Sequence, residues 1–230
     1  MTHDGHGTQV TPPTDCSTEL LQLDNVPGFL TFEEGLLLYH LARDVTAAGR
    51  VVELGSYQGR STVFLAAGTR DRADGSSAVI AVDHHKGSAE HQPGEECFNP
   101  LVACADGTGI DTFPHLSSHI RRLGLEKWVE PWRCSTLEAA KRFSGSIRLL
   151  FVDAAHDVDS VAADVEAWEP FVVEGGILCF HDAAEQGPAT AAKHLRRCGY
   201  KQHAAEGSLL ALRRGPAGGT FPVPRAKRAR

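Results

Sequence analysis

At 230 residues with 42% hydrophobic composition, the chain can bury one sizeable core, and nothing in its make-up calls for a second domain. A formal charge of −6 and a pI near 6.0 argue against a nucleic-acid partner, whose phosphates are held by clustered Lys and Arg, and favour a small-molecule one. No apolar stretch is long enough to span a bilayer, no signal-peptide pattern opens the chain, and the six cysteines contain no C-x-x-C pair, so a cytoplasmic protein with reduced thiols is expected.

In chain order, residues 1–18 are rich in Thr, Pro, Gly, Asp and His and predict a disordered arm, because too few apolar groups offset the entropy of ordering. Residues 19–214 read as a single domain. Apolar positions from Phe32 to Val45 recur at helical spacing behind Thr31, with Glu33 and Glu34 in the first turn, and predict a helix over 31–48 that ends at Gly49. The apolar strand that follows breaks at Glu53-Leu54-Gly55-Ser56-Tyr57-Gln58-Gly59-Arg60-Ser61 into a glycine loop and a new helix. Gly55 permits a sharp turn, and Gly59 removes a side chain where helix and ligand approach closely. Spacing weighs against two of the readings open to this loop. A dinucleotide fingerprint, G-x-G-x-x-G, is weakened by Tyr57 and Arg60, and a P-loop fails because three residues separate the glycines and Arg60 stands in place of Lys. The loop has the form E-x-G-x-x-x-G-x-S.

Ala78–Asp83 predicts a second buried strand, and its terminal Asp83 stands 24 residues after Gly59, where an acid in nucleotide-binding α/β folds accepts hydrogen bonds from ribose hydroxyls. Residues 84–114, opening with His84, lack periodicity and are long for a structureless connection, which predicts a lid or insertion on the cofactor side. A helix over His115–Leu123 and a third strand over Val129–Cys134 follow. Ser135-Thr136-Leu137-Glu138 then carries a capping-box pattern, which leaves Ser135 either a helix cap or a neighbour of the cofactor base. The fourth strand, Ile147–Asp153, leads through His156 into a helix reaching Trp168. After a turn at Glu174-Gly175-Gly176, the fifth strand, Ile177–Asp182, carries His181 near its end. Acids at Asp83, Asp153 and Asp182 therefore close three strands at the edge where open parallel sheets bind ligands. A helix over Pro188–Cys198 and strands over Tyr200–Ala204 and Ser208–Arg213, an antiparallel pair, complete the domain. The Gly-, Pro- and Arg/Lys-rich composition of residues 215–230 predicts a basic, flexible tail.

With these phrases in place, the region from about Gly49 to Arg213 resembles small actinobacterial-type class I S-adenosylmethionine (SAM) methyltransferases, O-methyltransferases of sugar and secondary-metabolite pathways among them. The matching phrases are Val52–Ser61, Phe151-Val152-Asp153-Ala154-Ala155-His156 and Gly175–Asp182. The resemblance implies an α/β, Rossmann-like fold with a mostly parallel seven-stranded sheet whose last strand is antiparallel. It also implies that Glu53, Gly55, Ser56 and Gly59 line the methionine part of SAM, with Ser61 and His84 nearby, that Asp83 holds the ribose and that Ser135 lies near the adenine. Acids after the fourth and fifth strands bind a divalent ion in such relatives, Mg²⁺ or another, and Asp153 and Asp182 match those places. Relatives often have two adjacent acids after the fifth strand where this chain has His181-Asp182-Ala183, so His181 or His156 would complete a metal site. The proton lost by the acceptor is assigned first to His156, beside Asp153, and second to His181. O-methylation of a hydroxylated small molecule is the expected reaction. An N- or C-methyltransferase, an NAD-dependent oxidoreductase and a non-catalytic SAM-binding module are the alternatives, and a homo-oligomer stays open.

Overall fold

The structure, a computed structural model, describes residues 18–72, 75 and 77–216; the arm over 1–17 and the basic tail from 217 onward lie outside these residues. Helix α1 (Thr18–Leu23), which sequence periodicity did not announce, leads to α2 (Phe32–Asp44). Thr31 caps α2 in a reciprocal box: its Oγ1 accepts from the Glu34 N–H at 3.2 Å, and its own N–H donates to Glu34 Oε2 at 2.8 Å. The helix stops at Asp44, short of the expected Gly49, because Val45 turns extended while remaining buried. Gly49, at φ +139°, instead lets the chain pass close to Ser146, whose carbonyl oxygen would lie 2.7 Å from a Cβ there.

Alternating strands and helices follow: β1 (Arg50–Leu54), α3 (Arg60–Arg70), β2 (Val79–Val82), α4 (Phe113–Arg122), β3 (Val129–Trp132), α5 (Thr136–Arg142), β4 (Ile147–Val152), α6 (Val158–Trp168), β5 (Val172–Phe180) and α7 (Gln186–Arg197). The hairpin β6 (Tyr200–Glu206) and β7 (Leu209–Arg214) ends the sheet, whose order is β3-β2-β1-β4-β5-β7-β6. Every pairing from β3 to β5 is parallel, and β7 runs antiparallel to both neighbours. This is the expected Rossmann-like α/β sheet. The expected turn at Glu174-Gly175-Gly176 is a bulge inside β5: Val172 pairs with Ile147 and Ile177 with Leu149, with Gly175 at φ +75° in between.

Side chains alternate across the sheet into two cores. Leu149, Phe151, Ile177 and Cys179 face α2 and α3 with Leu38 and Phe64, whereas Leu150, Val152, Leu178 and Phe180 face α6 and α7 with Trp168 and Leu195. Both faces are covered, so the central strands are largely apolar, with Glu53 in β1 and Arg148 in β4 as buried ionisable exceptions. The order reverses between β1 and β4: from β1 the chain runs outward to β2 and β3, then crosses back. The carboxyl ends of these two strands therefore open a crevice. No helix among the described residues is long and apolar enough to cross a membrane.

Candidate active site

Beyond Leu54 the chain turns through Gly55 (φ +87°), Tyr57 (φ +46°) and Gly59 (φ +96°), which begins α3. A Cβ on Gly55 would sit 2.3 Å from the Asp153 carbonyl oxygen, so that position requires glycine for space as well as conformation; at Gly59 the positive φ is the main demand, a Cβ there lying 2.5 Å from Leu116 Cδ1. Main-chain bonds extend the ladder past the strand ends: Gly55 N donates to the Val82 carbonyl at 2.9 Å, Asp153 N to that of Leu54 at 2.8 Å and His181 N to that of Val152 at 3.2 Å. Asp83 locks the arrangement. Its Oδ2 accepts from the N–H groups of Ser56 (3.0 Å) and Tyr57 (2.8 Å), and its Oδ1 accepts from His85 N at 2.6 Å.

Above these strand ends lies a cleft of about 960 Å³. Its walls include Gly55, Ser56, Ser61, Asp83, His84, Ser135, Asp153, His156, His181 and Asp182, so most residues singled out in the sequence meet in one place. Two do not line it. Gly59 closes the turn behind the loop, and Glu53 is wholly buried beneath, its carboxyl oxygens receiving Ser61 Oγ at 2.5 Å and Thr62 Oγ1 at 2.6 Å. Burial, reinforced by the fields of Asp153 and Asp83 and opposed by those two hydroxyls, pushes the Glu53 carboxyl up to about 8. Ser135 caps α5, its Oγ accepting from Glu138 N at 3.3 Å and donating to Glu138 Oε2 at 2.7 Å, while still facing the cleft.

On the β4–β5 side, His181 Nδ1 lies 3.0 Å from Asp153 Oδ1 and 3.2 Å from Asp182 Oδ2, and His156 Nε2 lies 3.3 Å from Asp182 Oδ2 and 3.8 Å from Asp153 Oδ1. Burial disfavours a charged His181, yet its bond to Asp153 and the fields of Asp153, Asp182 and Glu34 outweigh it and raise its pKa. Interaction with Asp153, against partial burial and aided by Asp182, raises His156 as well. Ligand atoms of Asp153, His181 and Asp182 lie within 4.8 Å of one another, a spacing that fits one cation. Non-glycine residues with positive φ among those described are Tyr57, His85 and Asp182, all at or beside the cleft, where such backbone conformations gather when a site dictates them.

The residues 84–114 carry two short 3₁₀ turns, Ala89–His91 and Pro100–Val102, and contribute Gly87, Ser88, His91, Cys97 and Thr112 to the wall. Sequence reasoning passed over the Pro27-Gly28-Phe29-Leu30 segment, which also lines the cleft; an aromatic beside Pro-Gly just ahead of a capped helix was the available signal. Thr136 and Leu137 were likewise unassigned.

A model of the methyltransferase domain family matches residues 52–183, from β1 through the loop after β5. The chain belongs to that family. It is a SAM-dependent methyltransferase of the class I fold, which sets aside the oxidoreductase alternative. Among solved structures, it is similar to the O-methyltransferase NovP (TM-score 0.63, 13% identity over 80% of this chain and 81% of that one). An O-methyltransferase from Bacillus cereus in complex with SAH, the demethylated donor, gives a TM-score of 0.55 at 16% identity, covering 85% of this chain and 89% of that one. CalS11, a TDP-rhamnose 3′-O-methyltransferase of calicheamicin biosynthesis, gives 0.53 at 18% identity, with 86% and 80% covered. The methyltransferase's cleft suits such a donor by its own chemistry: Ser56 Oγ lines it, buried and without a hydrogen-bond partner, as a group awaiting a ligand does.

Proposed function

We propose that this methyltransferase transfers the methyl group of SAM to a hydroxyl oxygen of a small molecule, assisted by a divalent cation held by Asp153, His181 and Asp182. The observation that carries this reading is the convergence of Asp153, His156, His181 and Asp182 on the wall of the cleft that also contains the Gly55–Ser61 loop. SAM supplies an electrophilic methyl bonded to sulfur, so the protein has three tasks: holding the donor, aligning the acceptor oxygen and removing its proton.

The loop residues Gly55, Ser56 and Ser61, with Asp83 and Ser135, are the donor side. Glu53 acts from beneath, by fixing Ser61 and Thr62 at the start of α3. On the acceptor side, His156 is 41% exposed and next to two carboxylates, so it can take the hydroxyl proton and be stabilised as imidazolium by Asp153 and Asp182. Two carboxylates and an imidazole would hold a divalent ion that lowers the acceptor's pKa. An imidazole in the set favours Mn²⁺ or another transition ion over Mg²⁺. The O-methyltransferase names of the similar structures support an oxygen acceptor.

Calorimetry with SAH, followed by mass-spectrometric detection of methylated hydroxy compounds with Mn²⁺, Mg²⁺ or chelator, tests the reading. SAH should bind, turnover should fall with chelator and recover best with Mn²⁺, and His156→Ala should keep SAH affinity while losing at least about a hundredfold in turnover. Absence of SAH binding sinks the donor assignment. Product methylated on nitrogen or carbon sinks the acceptor assignment, and full turnover by His156→Ala removes that residue from the chemistry.

A further inference from the structure

Three parts of the chain distant in sequence bring aromatic rings together on the cleft wall. Phe29 comes from the segment before α2, Tyr57 from the glycine loop and His91 from the 84–114 segment. Their ring centroids lie 5.7 Å (Phe29–Tyr57), 5.9 Å (Phe29–His91) and 5.3 Å (Tyr57–His91) apart. Phe29 is 61% exposed, so this large apolar side chain serves no core, and Tyr57 holds its ring there at the cost of a left-handed backbone. A group of aromatic rings on the wall of this cleft is a surface on which a ring can lie.

The charge of the cleft narrows what that ring can carry. Carboxylates of Asp83, Asp153, Asp159, Asp164, Asp182 and Glu185 line it, against a single guanidinium among the described lining residues, Arg60. That guanidinium is already committed: its Nε donates to the Leu30 carbonyl at 2.6 Å, its Nη1 to the carbonyls of Asp24 (2.6 Å) and Val26 (2.8 Å), and its Nη2 to the Asp24 carboxylate. The remaining basic side chains on the wall are histidines, of which His156 and His181 are paired with Asp153 and Asp182. A phosphate or diphosphate entering here would meet acids and no unpaired guanidinium or ammonium, and even one divalent cation would leave carboxylates in excess.

We propose that the acceptor is an uncharged hydroxylated ring that stacks on the Phe29–Tyr57–His91 face, and that phosphorylated acceptors, nucleoside-diphosphate sugars and coenzyme A esters among them, are rejected by the acidic wall. This rests on the methyl-transfer reading above and adds the acceptor's class to it. A phenol and a sugar share the required chemistry, and the experiment separates them.

The full-length chain, saturated with SAH and Mn²⁺, is titrated with hydroquinone and with methyl glucoside, each against its own phosphate monoester, by ligand-observed NMR. At least one uncharged ring should bind, its phosphate ester should bind about tenfold or more weakly, and that gap should narrow as salt rises. Phe29→Ala, at an exposed position that should not disturb folding, should weaken the neutral ring by about three- to tenfold and leave SAH affinity unchanged. The inference is overturned if SAH binds but a phosphate ester binds as well as its parent, if neither ring binds, or if Phe29→Ala leaves ring affinity intact. Failure of SAH itself to bind would overturn the methyl-transfer reading and this inference with it.

Discussion

Glu53 shows how a single buried side chain turns sequence into pH dependence. A carboxyl with no exposure, receiving two hydroxyls and facing the fields of two acids, keeps its proton to about 8, well above the ordinary 4.5. The folded state therefore binds a proton that the unfolded chain has already released. The stability from this group is complete below about pH 4.5 and is lost as pH climbs through about 8. Glu53→Gln keeps the shape and can still accept from one hydroxyl and donate to the other, but it has no proton to lose. Relative to wild type, the variant should gain stability steadily across that window, by an amount on the order of a few kcal/mol at the alkaline end. Denaturant titrations at several pH values check this, and parallel pH curves for the two proteins would show that Glu53 is ionised when folded. The sequence motif pointed to Glu53 as a residue of interest and gave no sign of its burial, because depth below a loop depends on packing by α3 and not on spacing along β1.

At the scale of elements, the N-terminus of α2 is joined to the β6–β7 turn through one carboxylate. Glu34 completes the cap of its own helix with Oε2, while its Oε1 accepts from Ser208 N at 2.6 Å and Ser208 Oγ at 2.8 Å. Burial works against ionisation here, yet those bonds prevail and hold Glu34 below the usual carboxylate range. Glu34→Ala leaves part-buried donors of Thr31 and Ser208 without this acceptor and should cost about 1–2 kcal/mol, with an unchanged denaturant slope. In a cycle with Ser208→Ala, the two changes should be coupled by about 0.5 kcal/mol or more; independent effects would mean that the bridge contributes little. The capping half of this device was legible, since Thr31 and the acids after it announce a helix start; the half reaching Ser208, 174 positions away, was not. The same division runs through the fold. β4 was readable because a strand buried on both faces is an apolar run, here broken only by Arg148, whereas the beginning of β5 was missed because Glu174-Gly175-Gly176 has the composition of a turn and is accommodated as a bulge. The cluster at Asp153 and Asp182 followed from strand ends alone. The aromatic wall did not, because Phe29, Tyr57 and His91 are brought together only by the path of two irregular segments.

For the whole molecule, the cleft lies across the reversal of strand order, and Asp83 is the tie between its β1 and β2 walls. The three main-chain N–H groups that Asp83 receives belong to two loops, Ser56 and Tyr57 on one and His85 on the other, so the carboxylate shapes the cavity as well as lining it. A ligand that binds only the folded chain stabilises it by mass action, by about 2.7 kcal/mol at a hundredfold excess over its Kd. For a domain of this size that corresponds to a rise in Tm of roughly 5–10 °C with SAH. Asp83→Asn separates the two roles of the carboxylate. Its amide can still accept from one loop but presents a donor to the other, so the free protein should lose about 1–3 kcal/mol, and the SAH-induced rise should shrink at the same ligand concentration. Differential scanning fluorimetry with and without SAH reads both effects together. A lowered starting Tm with an undiminished SAH shift would make Asp83 a purely structural tie. An unchanged starting Tm with a lost shift would make it a ligand contact alone. The bonds to three N–H groups and the position on the cleft wall predict that both quantities fall together.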